Sequence, residues 1–179
     1  MIDALPAPRI EPLADTPEIR AALVDLLVET VAAGGSVSFM HPLARAEADT
    51  FWAGSLAAAA RGDRIVYGAF VDGDLVATLT LLLACPPNQP HRAELAKMMT
   101  RVAHRGCGLA MALIHRAEAE AIARGKTLLM LDTAADEGAA GLYEKAGFTH
   151  GGTIPDYALK PQGGLVGTFY YWKRLAPRG

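Results

Sequence analysis

The chain has 179 residues, 51% of them hydrophobic and 20% charged, with a formal net charge of −2 and a pI of about 6.2. That length suits one domain spanning residues 1–179 with a sizeable core, and the lack of any global positive field argues against nucleic acid or an acidic membrane as the partner. Two isolated cysteines, Cys85 and Cys107, and five scattered histidines give neither a disulfide framework nor a recognisable metal spacing, so no metal is expected.

Residues 9–13 read as a short first strand. Asp15 with Glu18 three residues later is a capping-box pattern, with Pro17 in the first turn of the helix it opens. Ile19, Leu23, Leu26, Leu27 and Val31 recur at helical spacing until Gly34-Gly35 end the run. A loop over 36–42 leads to a second helix over 44–61, stopped by Gly62. Residues 64–71 and 75–84 are rich in strand formers on either side of Asp72-Gly73, a strong signal for an antiparallel hairpin. The apolar run within the second of them, 79–84, is far shorter than the ~20 residues that span a bilayer. Prolines keep 85–90 out of any ladder. A fourth strand over 94–100, a helix over 111–124 closed by Gly125 and a fifth strand over 127–133 make a β-α-β unit. A short helix over 137–146 follows, with Gly147 at its C′ position, and then strands over 148–154 and 168–173 separated by a glycine-rich excursion. Residues 1–6 lack a basic region followed by an apolar core, so a cytoplasmic location is expected.

The junction between the fourth strand and its helix carries the most chemistry. Backbone N–H groups at a helix start have no intrahelical partner and point along the positive end of the macrodipole, which suits a phosphate. Gly106 and Gly108 leave no Cβ to block its approach, and Arg105 and Arg101 add positive charge. A dinucleotide fingerprint starting at Gly106 would need glycine where Met111 stands, and no G-x-x-x-x-G-K-[ST] occurs. What remains is Arg105-x-x-Gly108-x-Ala110. A thiol at a helix start beside Arg105 has the setting of a nucleophile, but no Asn or Asp completes a Cys–His relay between Cys107 and His104, and packing is the favoured reading.

That motif resembles the R/Q-x-x-G-x-G/A loop of the GNAT superfamily of acyl-CoA-dependent N-acetyltransferases, and Ala139-Ala140-Gly141-Leu142-Tyr143-Glu144-Lys145-Ala146-Gly147-Phe148 resembles its A-x-x-L-Y-x-x-x-G-F block after the fifth strand. The order β-α-α-β-β-β-α-β-α-β-β is the layout of that fold. Leu26-Leu27-Val28-Glu29-Thr30-Val31, Gly35-Ser36-Val37-Ser38-Phe39-Met40, Arg92-Ala93-Glu94, Leu131-Asp132-Thr133 and Ile154-Pro155-Asp156-Tyr157 are similar to the tabtoxin-resistance acetyltransferase branch. Thr100 and Val102 depart from the Val and Pro more usual after the fourth strand, and Asp136 stands where many members carry Asn.

The resemblance implies an α/β GNAT fold, a mixed sheet of about six to seven strands flanked by about four helices. It implies acetyl-CoA as co-substrate, held by Met98, Met99, Thr100, Arg105, Gly106, Cys107, Gly108, Leu109, Ala110 and Met111. It also implies a backbone N–H in or beside Met99 for the oxyanion, where the fourth and fifth strands part. An alkyl ammonium must lose a proton before it attacks a thioester, and Glu94 on the fourth strand is the leading acceptor, directly or through water. Asp132, at the carboxyl end of the fifth strand, stands where functional groups gather and is expected to share that network or hold the ammonium. Tyr143 is expected to protonate the departing sulfur. Ser36, Ser38, Phe39 and Tyr157 combine hydroxyls with apolar bulk and are the candidate contacts for a small-molecule amine, amino-acid-like or a toxin derived from one. Peptide or protein N-acetylation, and an acyl-CoA-binding regulator without turnover, stand as alternatives. Monomer and homodimer are both compatible with the chain.

Overall fold

Asp72 and Gly73 adopt φ of 52° and 92°, the left-handed pair that a tight hairpin of matching twist requires, and β2 (Arg64–Val71) and β3 (Asp74–Leu82) leave that turn antiparallel. The computed structural model describes residues 8–136 and 138–176. Around the hairpin are β1 (Arg9–Pro12), α1 (Pro17–Ala32), α2 (Arg45–Ala60), β4 (Arg92–Thr100), α3 (Leu109–Ala123), β5 (Leu128–Ala134), α4 (Ala140–Lys145), β6 (Thr149–Leu159) and β7 (Leu165–Arg174). The seven strands form one sheet in the order β1-β2-β3-β4-β5-β7-β6. Every neighbouring pair is antiparallel except β4 and β5, so the sheet is mixed and the fold class is that expected.

The sheet has a core on each face. Leu23, Leu26 and Leu27 of α1 and Trp52 and Leu56 of α2 pack with Val66 and Phe70 on one side. Leu113, Ile114, Ala117 and Ala121 of α3 pack with Tyr67, Leu79, Leu95, Leu129 and Leu131 on the other. Gly68 lies beneath the first of these layers, where a Cβ would come within 2.5 Å of Leu75 and 2.7 Å of Leu13. Gly68→Ala should therefore cost about 1–3 kcal/mol by overpacking; a urea melt with an unchanged midpoint would refute this.

Several boundaries differ from the sequence reading, each for a local reason. The cap of α1 is Thr16, whose hydroxyl accepts from Ile19 N at 3.2 Å, while Asp15 takes a bidentate pair from Arg20. The helix α3 begins at Leu109, directly after the left-handed Gly108, and a 3₁₀ turn, Val102–His104, precedes the glycine loop. The short helix α4 starts only at Ala140, beyond Gly138 with φ 69°; its expected first residue, 137, lies outside the described residues, as do residues 1–6. The glycine-rich excursion between the last two strands is shorter than expected, a turn over 160–164 that holds Gly163 and Gly164 at φ 100° and 85°. β6 continues to Leu159, absorbing a register shift between Ile154 and Ala158 that includes Asp156 at φ 51°, and Tyr157 stands on this strand. Among the described residues no helix is long and apolar enough to cross a membrane.

Two features of β4 open the site. First, β4 pairs with β5 only from Arg92↔Leu128 to Glu94↔Met130, although both strands continue for several residues; their carboxyl-terminal halves part, leaving a cleft where open α/β sheets place ligands. Second, the β3–β4 register shifts between Thr78↔Met99 and Thr80↔Ala96, with Lys97 at φ 52°. This is a bulge. Simple alternation would place Met99 on the same face as Leu95; instead Leu95 packs under α3 and Met99 in the α1/α2 core. One extra residue inverts the strand's facing.

Candidate active site

The parted strands bound two cavities that meet. A groove of about 540 Å³ runs along the glycine loop and is lined by Met98, Met99, Thr100, Arg105, Gly106, Gly108, Leu109, Ala110 and Met111. Of the residues expected to hold coenzyme, Cys107 alone is not in this lining; it is exposed, with Sγ 3.8 Å from Arg105 O. A tighter cavity of about 170 Å³ lies between β4 and β5, with Ser36, Ser38, Lys97, Asp132 and Tyr143 in its walls. Val37, Met98 and Ala139 line both.

The groove suits an anionic ligand for reasons visible in its backbone. Gly106 and Gly108 both have φ 78°, and a Cβ built on either meets nothing within 4 Å, so the loop presents open backbone at the start of α3. Arg105 is exposed and lines the groove, with its Nε 3.5 Å from Thr100 O. Arg101, expected to add a second positive charge, is engaged elsewhere: its guanidinium donates to Glu29 Oε2 at 2.7 Å, and the N–H of Val102 donates to Glu29 Oε1 at 2.8 Å. One carboxylate from α1 thus clasps the chain where the loop begins. Burial pushes the Glu29 carboxyl up, but the hydrogen bonds from Arg101 and Val102 prevail and hold it below the ordinary range.

A carboxyl depressed in the folded state stabilises fully above its unfolded value, about 4.3, and that stability is lost as pH falls through the lower folded value. Glu29→Gln should therefore lower the melting temperature at neutral pH, with the gap to the wild type closing below about pH 4. A gap independent of pH would contradict the clasp.

The smaller cavity gathers some of the expected catalytic residues and not others. Asp132 lines it, paired across to Tyr170 on β7, and its Oδ2 accepts from Thr168 Oγ1 at 3.3 Å. Tyr143 lines it from α4, its ring buried against Phe148 and Tyr171 at 6.2 and 5.7 Å between centroids. Glu94 lines neither cavity. It lies one pleat below the parting of the strands, and its Oε2 accepts from Arg92 at 3.2 Å. The bulge at Lys97 and Met98 adjoins Met99, where the oxyanion donor is expected.

Ser36 and Ser38 line the small cavity and also an adjoining one of about 110 Å³ bounded by Tyr157, Thr168 and Asp132. Phe39 does not face either. Its ring turns into the α1/α2 core, 5.2 Å from Phe51 and nearly perpendicular to it. Tyr157 accepts a 3.1 Å hydrogen bond from Tyr170, which with burial pushes the Tyr170 hydroxyl up to about 12. Asp136, where the family pattern carries Asn, forms an ion pair with Lys160 in the β6–β7 turn and lines neither the groove nor the small cavity.

Three titratable residues outside the expected site set also line it. Lys97 is in the small cavity, and His104 and Lys145 are in the groove. His104 Nδ1 is buried without a hydrogen-bond partner among the described residues, and Lys145 adds a cation opposite the glycine loop. The one sign of Lys97 in the sequence is its charge, set between Leu95 and Met99 on a face that simple alternation makes apolar.

A model of the Acetyltransferase (GNAT) family matches residues 26–148. Streptothricin acetyltransferase of Escherichia coli is 32% identical over 113 residues, 62% of this chain; the match spans 63% of that protein's length. An N-acetyltransferase from Staphylococcus aureus Mu50 superposes with a TM-score of 0.79 at 20% identity, over 95% of this chain and 99% of the other. An aminoglycoside 6'-N-acetyltransferase complexed with coenzyme A superposes with a TM-score of 0.73 at 18% identity, over 96% and 99%. At such identities the superpositions speak for the fold.

Proposed function

Since the chain belongs to the acetyltransferase (GNAT) family, we propose that it moves the acetyl group of acetyl-CoA to the primary amine of a small molecule by direct attack, within residues 1–179 acting as one domain. The observation that carries this reading is the meeting of a phosphate-suited groove and a small polar cavity at Val37, Met98 and Ala139. Two ligands entering from opposite sides would touch there and nowhere else.

The glycine loop and Arg105 hold the pyrophosphate, with Lys145 as a further cation. Asp132 holds the acceptor's ammonium, takes one proton and passes it to solvent, so that the amine lone pair forms the new C–N bond at the thioester carbonyl; the same carboxylate then takes the second proton from the nitrogen of the tetrahedral intermediate. The β4 bulge beside Met99 offers backbone N–H to the carbonyl oxygen as it gains negative charge. Tyr143 gives its proton to the sulfur as the C–S bond breaks, and solvent restores it. Glu94 acts at a distance, through water and the charge it adds behind Asp132. The small cavity, at about 170 Å³, is below the usual range for drug-sized ligands, roughly 300–1,000 Å³, which favours a small acceptor over a peptide. The enzyme is taken to work in the cytoplasm, as monomer or homodimer.

The test is the initial rate of free-thiol release with acetyl-CoA and an amine varied together. Direct transfer gives intersecting double-reciprocal lines and no release without acceptor. Parallel lines with an acetylated Cys107 would overturn direct attack.

A further inference from the structure

The transfer chemistry above gives Lys97 no task, yet the surroundings of this lysine are unusual. It occupies the bulge at φ 52°, a conformation that non-glycine residues adopt at a cost and that concentrates at functional sites. Its Nζ donates to Val37 O at 2.8 Å and to Ser38 Oγ at 2.7 Å, and Ser38 is itself left-handed at φ 75°. The rings of Phe39 and Phe51 lie 5.9 and 5.8 Å from the nitrogen. These partners are all uncharged. Burial lowers the affinity of this amine for its proton, and the negative charge of Asp132 opposes that effect. The two residues line one cavity and form no ion pair with each other.

The small cavity thus carries a cation and an anion held apart: Lys97 is fixed by Val37 and Ser38, and Asp132 shares the Thr168 hydroxyl, at 3.3 Å, with Thr133 O at 3.0 Å. We propose that Lys97 determines specificity by receiving a carboxylate of the acceptor, so that the site takes a zwitterion: the ammonium faces Asp132 and the carboxylate faces Lys97. This rests on the acetyl-transfer reading of the same site and narrows it to free amino acids and their close relatives. An ammonium has three N–H donors; two are committed to Val37 and Ser38, and the third serves the ligand. An acceptor without an anionic group would bring a second cation into a partly desolvated space and leave Lys97 uncompensated, a penalty of the kind that rejects analogues strongly. Polyamines, aminoglycosides and lysine side chains of proteins are disfavoured on that ground.

The test uses matched trios: an amino acid, its α-amide and the corresponding decarboxylated amine, each across a range of side chains. Wild-type protein should favour the free acid in kcat/KM by on the order of tenfold or more. In Lys97→Gln the ratio of acid to amide should collapse towards one, chiefly through the KM of the acid, and Lys97→Arg should keep most of it. A wild type that acetylates amide or decarboxylated amine as well as the acid would overturn the assignment. So would a Lys97→Gln that lowers acid and amide by one common factor, the result expected if Lys97 merely props the 36–39 loop; melting temperatures taken alongside exclude loss of fold as the cause. Calorimetry separates the two levels. Acetyl-CoA binding without turnover of any carboxylate-bearing amine sinks the Lys97 assignment alone, whereas failure to bind acetyl-CoA removes the transfer reading and this assignment with it.

Discussion

Gly108→Asp is expected to abolish acetyl-CoA binding while leaving the protein folded. A Cβ at this position meets nothing within 4 Å, so the side chain has room, and Asp is among the residues that tolerate left-handed backbone. Its φ of 78° still costs something, roughly 1–2 kcal/mol at the upper end, which the fold can bear. What the groove cannot bear is a carboxylate at the start of α3, where the helix dipole and unpaired N–H groups would otherwise receive a phosphate. The affinity should fall by at least about 100-fold, equivalent to roughly 2.7 kcal/mol. A ligand present at 100 times its Kd stabilises its protein by about 2.7 kcal/mol, and one present at its Kd by only about 0.4 kcal/mol, so most of the rise in melting temperature on adding acetyl-CoA should be lost. Gly108→Asn is the control, with the same shape and the same tolerance of left-handed backbone but no charge, and should keep most of the binding. Equal losses in both variants would locate the effect in backbone or bulk, not charge, and count against the phosphate reading.

The second large effect belongs to the small cavity. Asp132→Asn keeps the shape and the hydrogen bond from Thr168 but removes the charge and the proton acceptor, and Tyr143→Phe removes one oxygen while keeping a ring packed on Phe148 and Tyr171. Each should lower kcat by about 10²–10⁴-fold, the usual worth of a positioned acid or base, with acetyl-CoA affinity little changed. Glu94→Gln should cost much less, because Glu94 faces Arg92 and lines neither cavity. The Asp132→Asn deficit should shrink as pH rises towards the acceptor's own pKa, where free amine needs no base. Rates in which Glu94→Gln is the most damaged of the three would return the base to Glu94.

What the sequence makes legible is what local chemistry determines. Asp72-Gly73 calls for a tight turn between two apolar runs, and the glycines at 106 and 108 mark a turn into a helix, read as starting at Met111 and found to start at Leu109. Arg105-x-x-Gly108-x-Ala110 adds a spacing that few other sites share. The bulge at Lys97 is another matter: Ala96-Lys97-Met98 contains no glycine or proline, and the inversion it causes is evident only once Leu95 and Met99 are packed on opposite faces. Glu94 reads as a base in sequence because it stands on the strand that runs on to Met98-Met99. Yet residues two apart share a face in a strand, so Arg92 was its natural partner, and pairing with β5 ends at Glu94 itself. Arg101 looks like a free cation in sequence because Glu29 is 72 positions away, on a helix that only tertiary packing brings to the loop. Phe39 is a loop residue whose destination depends on Phe51, a residue of α2 that no local pattern connects to it.

Competition in one vessel decides whether the acceptor is a small molecule. Acetyl-CoA is offered together with free amino acids, polyamines, an aminoglycoside and short peptides with free N-termini, and the acetylated products are identified by mass spectrometry. N-acetylated free amino acid should be the dominant product, formed in step with thiol release and lost in Asp132→Asn. Acetylation confined to peptide N-termini or lysine side chains would contradict it.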